Sequence, residues 1–593
     1  MRSVEYDTDV IVVGTGPTGA TATLALATYG VRVQAVTRRN WLAPTPRSHL
    51  TNQRAIEVLR DLGVEEEAIR YGTPWGLIGD MTIATSFAGP EIARLRNWGT
   101  GDDRHGDYVQ GSPCPLLDLI QPLMERLLVT NAARRGAQIS LNTEYIGHEQ
   151  DDDAVTVTLK DLTTGSEYTR RAQFLVGADG SHSQIADEIG LEIVGQHARA
   201  GHVYAAFTAD LSQYAAHRPS TLNYIMSPAT GYGEIGMALL RATRPWDQWI
   251  AGWGIDVNGG EPDLDHGRAL ERIRTLVGDP ELQAEIEWVA PWYVNQAYAL
   301  RYSKGRVFCA GDAVHRHPPS SGLGSNTSIQ DAFNLAWKLA LVAKGHAGRG
   351  LLDSYSEERV PVGKQVVARS NQSRLDYSAL REVVAVADSD DPTAARLEKI
   401  RARTPEGAKT RAALYEALKL KSYEFNAQGV ELNQRYESSA VLPDPLAGEE
   451  MWARDPQLYL QATTRPGAKI PHTWLVDERG RRVSTLDITG KGMFTVLTGL
   501  SGEAWVDAAR KLDLPYVRTV VVGDADHQDL YGYWAGIREI DEAGVLLVRP
   551  DGYVAWRSGE AVHETDKAIT LLRHALAKIL DQGATAAATA SGP

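Results

Sequence analysis

The stretch DVIVVGTGPTGATATLALATYGVRVQAV, residues 9–36, decides the fold. Its first five residues are a β-branched run with the composition of a buried parallel strand. That run leads directly into GTGPTG at residues 14–19, an Ala-, Leu- and Thr-rich helical stretch follows, and Gly30 ends it before a second apolar run at 31–36. The result is a βαβ unit with a dinucleotide fingerprint in its first turn. Gly14 permits the tight turn, Gly16 lets a pyrophosphate approach the backbone, and Gly19 permits close helix packing. Pro17 and Thr18 belong to the same phosphate-facing loop. The second strand ends in Thr37, Arg38 and Arg39, where a ribose-binding Asp or Glu is customary. Thr37 can offer a hydroxyl to the ribose of FAD while Arg38 stacks on adenine; equally, the arginines can receive the 2′-phosphate of NADP. This segment alone leaves both cofactors open.

Two segments far along the chain favour a flavin. Residues 306–310, RVFCA, form another strand-like run before GDAVHRHPPSSGLGSNTSIQDAFNLAWKLAL at 311–341. An Asp directly after a strand, a proline pair, a glycine-rich turn and an amphipathic helix expected to begin near Thr327 place backbone amides beside an anionic group. In this arrangement Asp312 holds a ribityl hydroxyl, Pro319 shapes the wall, and Gly322, Leu323, Gly324, Ser325 and Asn326 face the flavin ring, whose reduced, partly negative form suits a helix N-terminus. Between the two lies FLVGADGSHSQIADEIGL at 174–191, a strand running into a turn that sets Asp179 near the pyrophosphate.

Bulk properties agree with a large enzyme. At 593 residues the chain needs more than one core, and 43% hydrophobic with 23% charged residues is ordinary for a globular protein. A net charge of −14 gives no general attraction to phosphate backbones or anionic lipid, so neither nucleic acid nor membrane is an expected partner. Cys114 and Cys309 are the only cysteines, which excludes a disulfide framework and a CxxC site. No signal peptide and no spanning apolar stretch are visible, and the cytoplasm is the expected compartment. His315 and His317 flank Arg316 on a Pro-bounded loop that lacks partners at metal-ligand spacing, so no metal is expected.

The three motifs, in this order, resemble those of the single-component (class A) flavoprotein aromatic hydroxylases, and within them the 2,4-dichlorophenol 6-monooxygenase and phenol hydroxylase branch. TPRSHLTNQRAIEVLRDLG at 45–63, GDAVHRHPPSSGLGSNTSIQDAFNLAWKLA at 311–340 and GVELNQRYESSAV at 429–441 carry the resemblance, which spans essentially the whole chain. It implies that Arg47 and Gln121 touch FAD, that Asp312 binds the ribityl chain, and that NAD(P)H is a transient co-substrate without a nucleotide fold of its own. It also implies hydroxylation of a phenolic ring, ortho to the hydroxyl, with O2 delivered through a flavin hydroperoxide, and a homodimer. His49, two residues after Arg47, takes the place where related phenol hydroxylases carry a catalytic acidic residue, and a histidine suits a base near neutral pH. Arg241, in an expected strand of the substrate domain, is the candidate phenolate stabiliser. Two other readings are an NADP-dependent dehydrogenase using the first motif and Arg38, and a flavin-binding scaffold without activity.

The expected fold class is α/β: a Rossmann-like FAD-binding domain (1–190 and 286–385) with an inserted β-sheet substrate domain (191–285). A helical connecting region (386–445) and a C-terminal thioredoxin-like α/β domain (446–593) without cysteines complete the chain, whose tail from 583 is expected to be disordered.

Overall fold

Strand Thr8–Val13 lies at the centre of an open sheet, flanked in parallel by Val33–Val36 on one side and Glu167–Gly177 on the other. Gln138–Ser140 and Val307–Cys309 extend the parallel run outward, and the short Ser303–Lys304 closes one edge antiparallel. The computed structural model describes residues 5–196, 200–227, 236–386, 390–446 and 448–582. The tail from 583 therefore lies outside the described residues, as does part of the acidic break at 388–392.

Register decides what this sheet can bind. Val13 pairs with Val36 and Gly177, and Gly177 with Cys309, so four strands end level with one another. The turns that follow them, at 14–19, 37–39, 178–180 and 310–312, open at one carboxyl edge, where ligands of doubly wound sheets sit. Helices Pro17–Thr28 and Gly324–Ala343 pack together over this edge, and the sheet strands are buried hydrophobic core. The last helix begins three residues before the expected Thr327, so that Gly324, Ser325 and Asn326 form its first turn.

A second sheet of seven strands runs Glu285–Tyr293, Gly201–Thr208, Gln248–Ile255, Ala238–Arg244, Leu222–Ile225, Asp80–Ala84 and Glu91–Arg96. The boundary drawn at 191–285 needs correction on both sides. Asp80–Ala84 pairs parallel with Leu222–Ile225, register Met81 to Leu222, so residues before 191 supply two strands, and Glu285–Tyr293 continues past the far boundary. Nonlocal pairing of this kind leaves no mark in local periodicity.

The stretch expected to connect domains has a packing role. Leu414, Leu418 and Phe425 share one buried cluster with Leu50, Met81, Leu222 and Tyr377, so helix Pro405–Leu420 packs against the seven-stranded sheet and the 50–51 segment. The C-terminal unit has the thioredoxin-like order Val517–Val522, Phe494–Gly499, Val545–Val548, Val554–Ser558, parallel only at the first pair, with helices Glu503–Leu512 and Thr565–Ile579 packed on each other. Among the described residues no helix is long and apolar enough to cross a membrane.

Candidate active site

Both helix N-termini at the sheet edge are left uncapped by the protein. Pro17–Thr28 starts after Gly16 with no side chain accepting from its first turn, and Pro17 occupies N1, where its missing N–H costs nothing. Gly324–Ala343 starts after Leu323, also without a side-chain cap. Ser321 (φ 71°) and Gly322 (φ 62°) stand in succession in the left-handed region and turn the chain after exposed Pro319; the Gly322 N–H donates back to the Pro319 carbonyl at 3.0 Å, which leaves the amides of 323–326 at the helix N-terminus. Such termini favour negative charge and ring carbonyls.

Glycine positions separate packing from binding. A Cβ on Gly14 (φ 104°) would overlap the Ala178 carbonyl, and one on Gly19 would overlap that of Gly14, so the protein itself requires both. At Gly16 a Cβ would meet only Glu125 Oε1, at 3.9 Å, and the room it leaves faces the loop's ligand side.

Asp312 is exposed by area, yet protein atoms surround it closely enough that desolvation pushes its carboxyl up, against the opposing pull of His315, Arg316 and Arg47. Both facts hold for a side chain lining a deep cleft. Gly311 packs against Thr18, which sets Asp312 beside the first motif. His315 underlies this turn: its Nε2 lies 2.7 Å from Asp331 Oδ2, and the same oxygen accepts the Gly311 N–H at 3.1 Å while Arg359 donates to Oδ1 at 2.7 Å.

The segment 47–52 threads between these parts. Gln121 N–H donates to the Ser48 carbonyl (2.8 Å), Leu119 N–H to that of His49 (2.8 Å), and Leu50 pairs with Asp118 across a two-residue ladder. On its other side Ser48 Oγ donates to Ser325 Oγ at 2.6 Å. Asn326 accepts from the Asn52 N–H at 3.0 Å and donates to the carbonyls of Leu50 (2.8 Å) and Gly322 (2.5 Å). Arg47, His49, Gln121 and the 322–326 turn therefore meet in one place.

Several side chains are otherwise engaged than expected. Asn326 is spent on protein contacts, so its place in the cradle is held by its backbone. Asp179 accepts from Ser183 Oγ (2.6 Å) and the Ile185 N–H (3.2 Å) at the start of the next helix. Thr37 Oγ1 is buried and accepts from the Arg39 N–H at 3.3 Å, while Arg38 is exposed and makes no hydrogen bond or ion pair with a described residue. Gln121 donates its amide to Glu125 Oε1 at 2.7 Å.

Against the other wall of the cleft lies a charged cluster. Arg241 forms an ion pair with Asp118, 123 residues earlier, and both are buried. Yet His49 Nδ1, Arg241 Nε and Asp118 Oδ1 are buried without hydrogen-bond partners. Burial, reinforced by Arg241, pulls the His49 imidazole well below its usual pKa; burial pushes Asp118 up against the pull of Arg241; and Tyr204 is pushed up to about 12 by burial. Both influences disfavour the imidazolium form of His49, the residue expected from the sequence to act as a base. Asp118 and Tyr204 had no motif to announce them, because only folding brings them to Arg241.

These features fit FAD: two uncapped helix N-termini for phosphates and ring, a glycine with room for a ligand, and a carboxylate lining the cleft. Comparison with known proteins agrees. Residues 7–370 match the FAD binding domain family and residues 463–583 the C-terminal domain of aromatic-ring hydroxylases. The chain is 45% identical over 563 residues to a 2,4-dichlorophenol 6-monooxygenase of Cupriavidus pinatubonensis, covering 94% of each. It is 43% identical over 574 residues to a phenol 2-monooxygenase of a Pseudomonas species, covering 95% of this chain and 92% of the relative. The crystal structure of the flavin-dependent monooxygenase PieE with FAD and substrate superposes with a TM-score of 0.92 at 41% identity, covering 98% of this chain and 100% of that one. Neither the dehydrogenase nor the inactive-scaffold reading finds support among these relatives. The chain belongs to the FAD-binding aromatic-ring hydroxylases and is a flavin-dependent monooxygenase that draws its electrons from NAD(P)H.

Proposed function

We propose that the enzyme hydroxylates a phenol ortho to its hydroxyl group, giving a catechol, and that the phenolic oxygen sits against His49 and Arg241. The observation that carries this reading is the set of orphaned polar atoms on His49, Arg241 and Asp118 at the cleft wall. Buried polar groups are nearly always hydrogen-bonded, and a group left without a partner beside a cleft is one a ligand can complete. Relatives named for phenol and 2,4-dichlorophenol support the substrate class.

When bound, FAD supplies the oxidising equivalent, taking electrons from NAD(P)H and presenting an oxygen atom from O2. The backbone amides of 323–326 would hold its ring, Asp312 and Arg47 its ribityl and phosphate portions, and the 14–19 loop its pyrophosphate. The protein's own task is to make the aromatic ring electron-rich and keep water out. Arg241 favours a phenolate over a phenol beside it, and the same positive field holds His49 neutral. His49 Nδ1 accepts a hydrogen bond from the phenolic O–H, and because imidazolium beside Arg241 is unfavourable the proton is released to solvent as the phenolate settles against Arg241. Asp118 fixes the guanidinium from behind.

Incubating the reconstituted enzyme with NADPH, 18O2 and a panel of phenols tests this. A catechol carrying one labelled oxygen is expected. Labelled product hydroxylated only meta or para would overturn the ortho assignment, and NADPH oxidation yielding peroxide alone would overturn the substrate class. In the same reading the enzyme works as a cytoplasmic homodimer; light scattering giving a single-chain mass would overturn the oligomer.

A further inference from the structure

A pocket of about 330 Å³ opens beside the dinucleotide edge, lined by Trp41, Glu67, Tyr71, Arg126, Thr130 and Arg134. Arg126, Thr130 and Arg134 recur every four residues along helix Gln121–Arg134 and so share one face. Tyr71 and Glu67 form the opposite wall from helix Glu65–Tyr71, and Trp41, 60% exposed, stands in the loop that follows strand Val33–Val36.

Its charges are unevenly matched. Glu67 is occupied: it accepts from Tyr71 Oη at 3.0 Å and from Asn131 Nδ2 at 2.9 Å, and Arg134 lies 3.9 Å away. Arg126 makes no hydrogen bond or ion pair with any described residue, and neither does Arg38, three residues before Trp41. Uncompensated guanidinium groups stand out on a chain of net charge −14. An exposed indole beside such a group suits a planar heterocycle carrying a phosphate: the ring stacks, and the planar fork grips the oxygens.

The pocket is connected to the FAD edge through one helix and one loop. Gln121 begins the same helix that carries Arg126, and Glu125 Oε2 accepts the Ala43 N–H at 2.7 Å, tying the Trp41 loop to it. The volume lies at the lower end of small-ligand pockets, ~300–1,000 Å³, room for one end of a dinucleotide but not the whole. We propose that this pocket receives the 2′-phosphoadenosine end of NADPH, with Trp41 stacking on adenine and Arg126 binding the 2′-phosphate. The inference rests on the monooxygenase activity and assigns a docking place to a co-substrate that has no nucleotide fold of its own.

Steady-state kinetics on FAD-loaded Trp41→Ala and Arg126→Ala, with flavin content fixed from absorbance, test it. The KM for NADPH should rise about tenfold or more in each, with kcat and the phenol KM unchanged and with partial recovery in Arg126→Lys. Calorimetric titration of the parent with 2′,5′-ADP should show binding that Arg126→Ala weakens by a similar factor. Unchanged NADPH KM in both variants, or a parent that binds no 2′,5′-ADP, would overturn the proposal. The titration reads the pocket even if no phenol stimulates turnover, so failure of the substrate reading is told apart from failure of this one.

Discussion

Two clusters of buried charge lie in this molecule, and they differ in how completely they are satisfied. One joins the C-terminal unit to the FAD-binding body. Arg549 donates to both oxygens of Glu358 (2.5 and 2.9 Å) and to both of Asp551 (3.0 and 2.6 Å), and Lys338 reaches Glu358 and Asn334 at 2.9 Å each. Arg54 donates to the Asp551 carbonyl at 2.9 Å, so the turn around 549–552 is clamped to helices Gln53–Asp61, Gly324–Ala343 and Asp353–Leu375 together. These pairs hold Glu358 well below the usual carboxylate range. The other cluster, Asp118, Arg241 and half-buried His49, leaves an orphaned atom on each residue, whereas in the first only Arg54 Nε lacks a partner among the residues just named. The first, nearly satisfied cluster holds the structure together; the incomplete one keeps polar atoms that a ligand can complete.

Breaking the satisfied cluster should have the largest effect on stability. Arg549→Met leaves Glu358 and Asp551 buried without their shared cation, and the expected loss is about 3–5 kcal/mol in urea unfolding. A change below ~1 kcal/mol would mean that the clamp is ornamental. In the incomplete cluster Arg241→Gln should lower kcat/KM for a phenol by about 10²–10³-fold while costing less stability than Arg549→Met. Equal losses of stability with unchanged turnover would erase the distinction between the clusters.

His49→Ala sharpens it further. Because the folded imidazole titrates well below its usual value, the parent's kcat should stay flat as pH falls through about 6.5, where an ordinary histidine would charge. The variant should lose roughly 10–10²-fold in kcat. A parent rate that halves near pH 6.5 through a group absent from His49→Ala would show that His49 titrates as a normal base.

The smallest effect concerns Glu431, within the 429–441 segment. Burial pushes its carboxyl up to about 8, with Glu57 adding to the rise and Asn52 opposing it. Between the unfolded value of 4.5 and about 8 the folded chain keeps a proton that the unfolded chain releases, so stability falls as pH rises through that window. Glu431→Gln should remove this dependence and stabilise the protein by on the order of 1 kcal/mol at the alkaline end. Parallel thermal midpoints for parent and variant from about pH 5 to about pH 8 would argue that Glu431 is ionised when folded.

What the sequence discloses follows from how local each feature is. The first βαβ unit and the 311–341 segment are legible because each packs strand, turn and helix into one continuous stretch whose glycines have a steric reason. The thioredoxin-like unit is legible from its alternation of strands and helices. The substrate sheet is only half legible, since two of its strands come from residues 80–96, one pairing with residues 222–225 and the other with the first. The same distance hides Asp118, whose partner Arg241 lies 123 residues away, and the hydrogen bond of Asn326 to the Leu50 carbonyl. Burial and the nearness of Arg241, which lower the pKa of His49, are likewise not written in a local motif.

The central claim, that the phenolic oxygen completes the His49 and Arg241 cluster, is read most directly by titrating the FAD-loaded enzyme with 4-nitrophenol below the pKa of the free phenol and following its absorbance. The account predicts that the yellow phenolate band grows on binding and is lost in Arg241→Gln, because the guanidinium stabilises the anion. Binding that leaves the phenol protonated in the parent, or an equal phenolate band in Arg241→Gln, would contradict it.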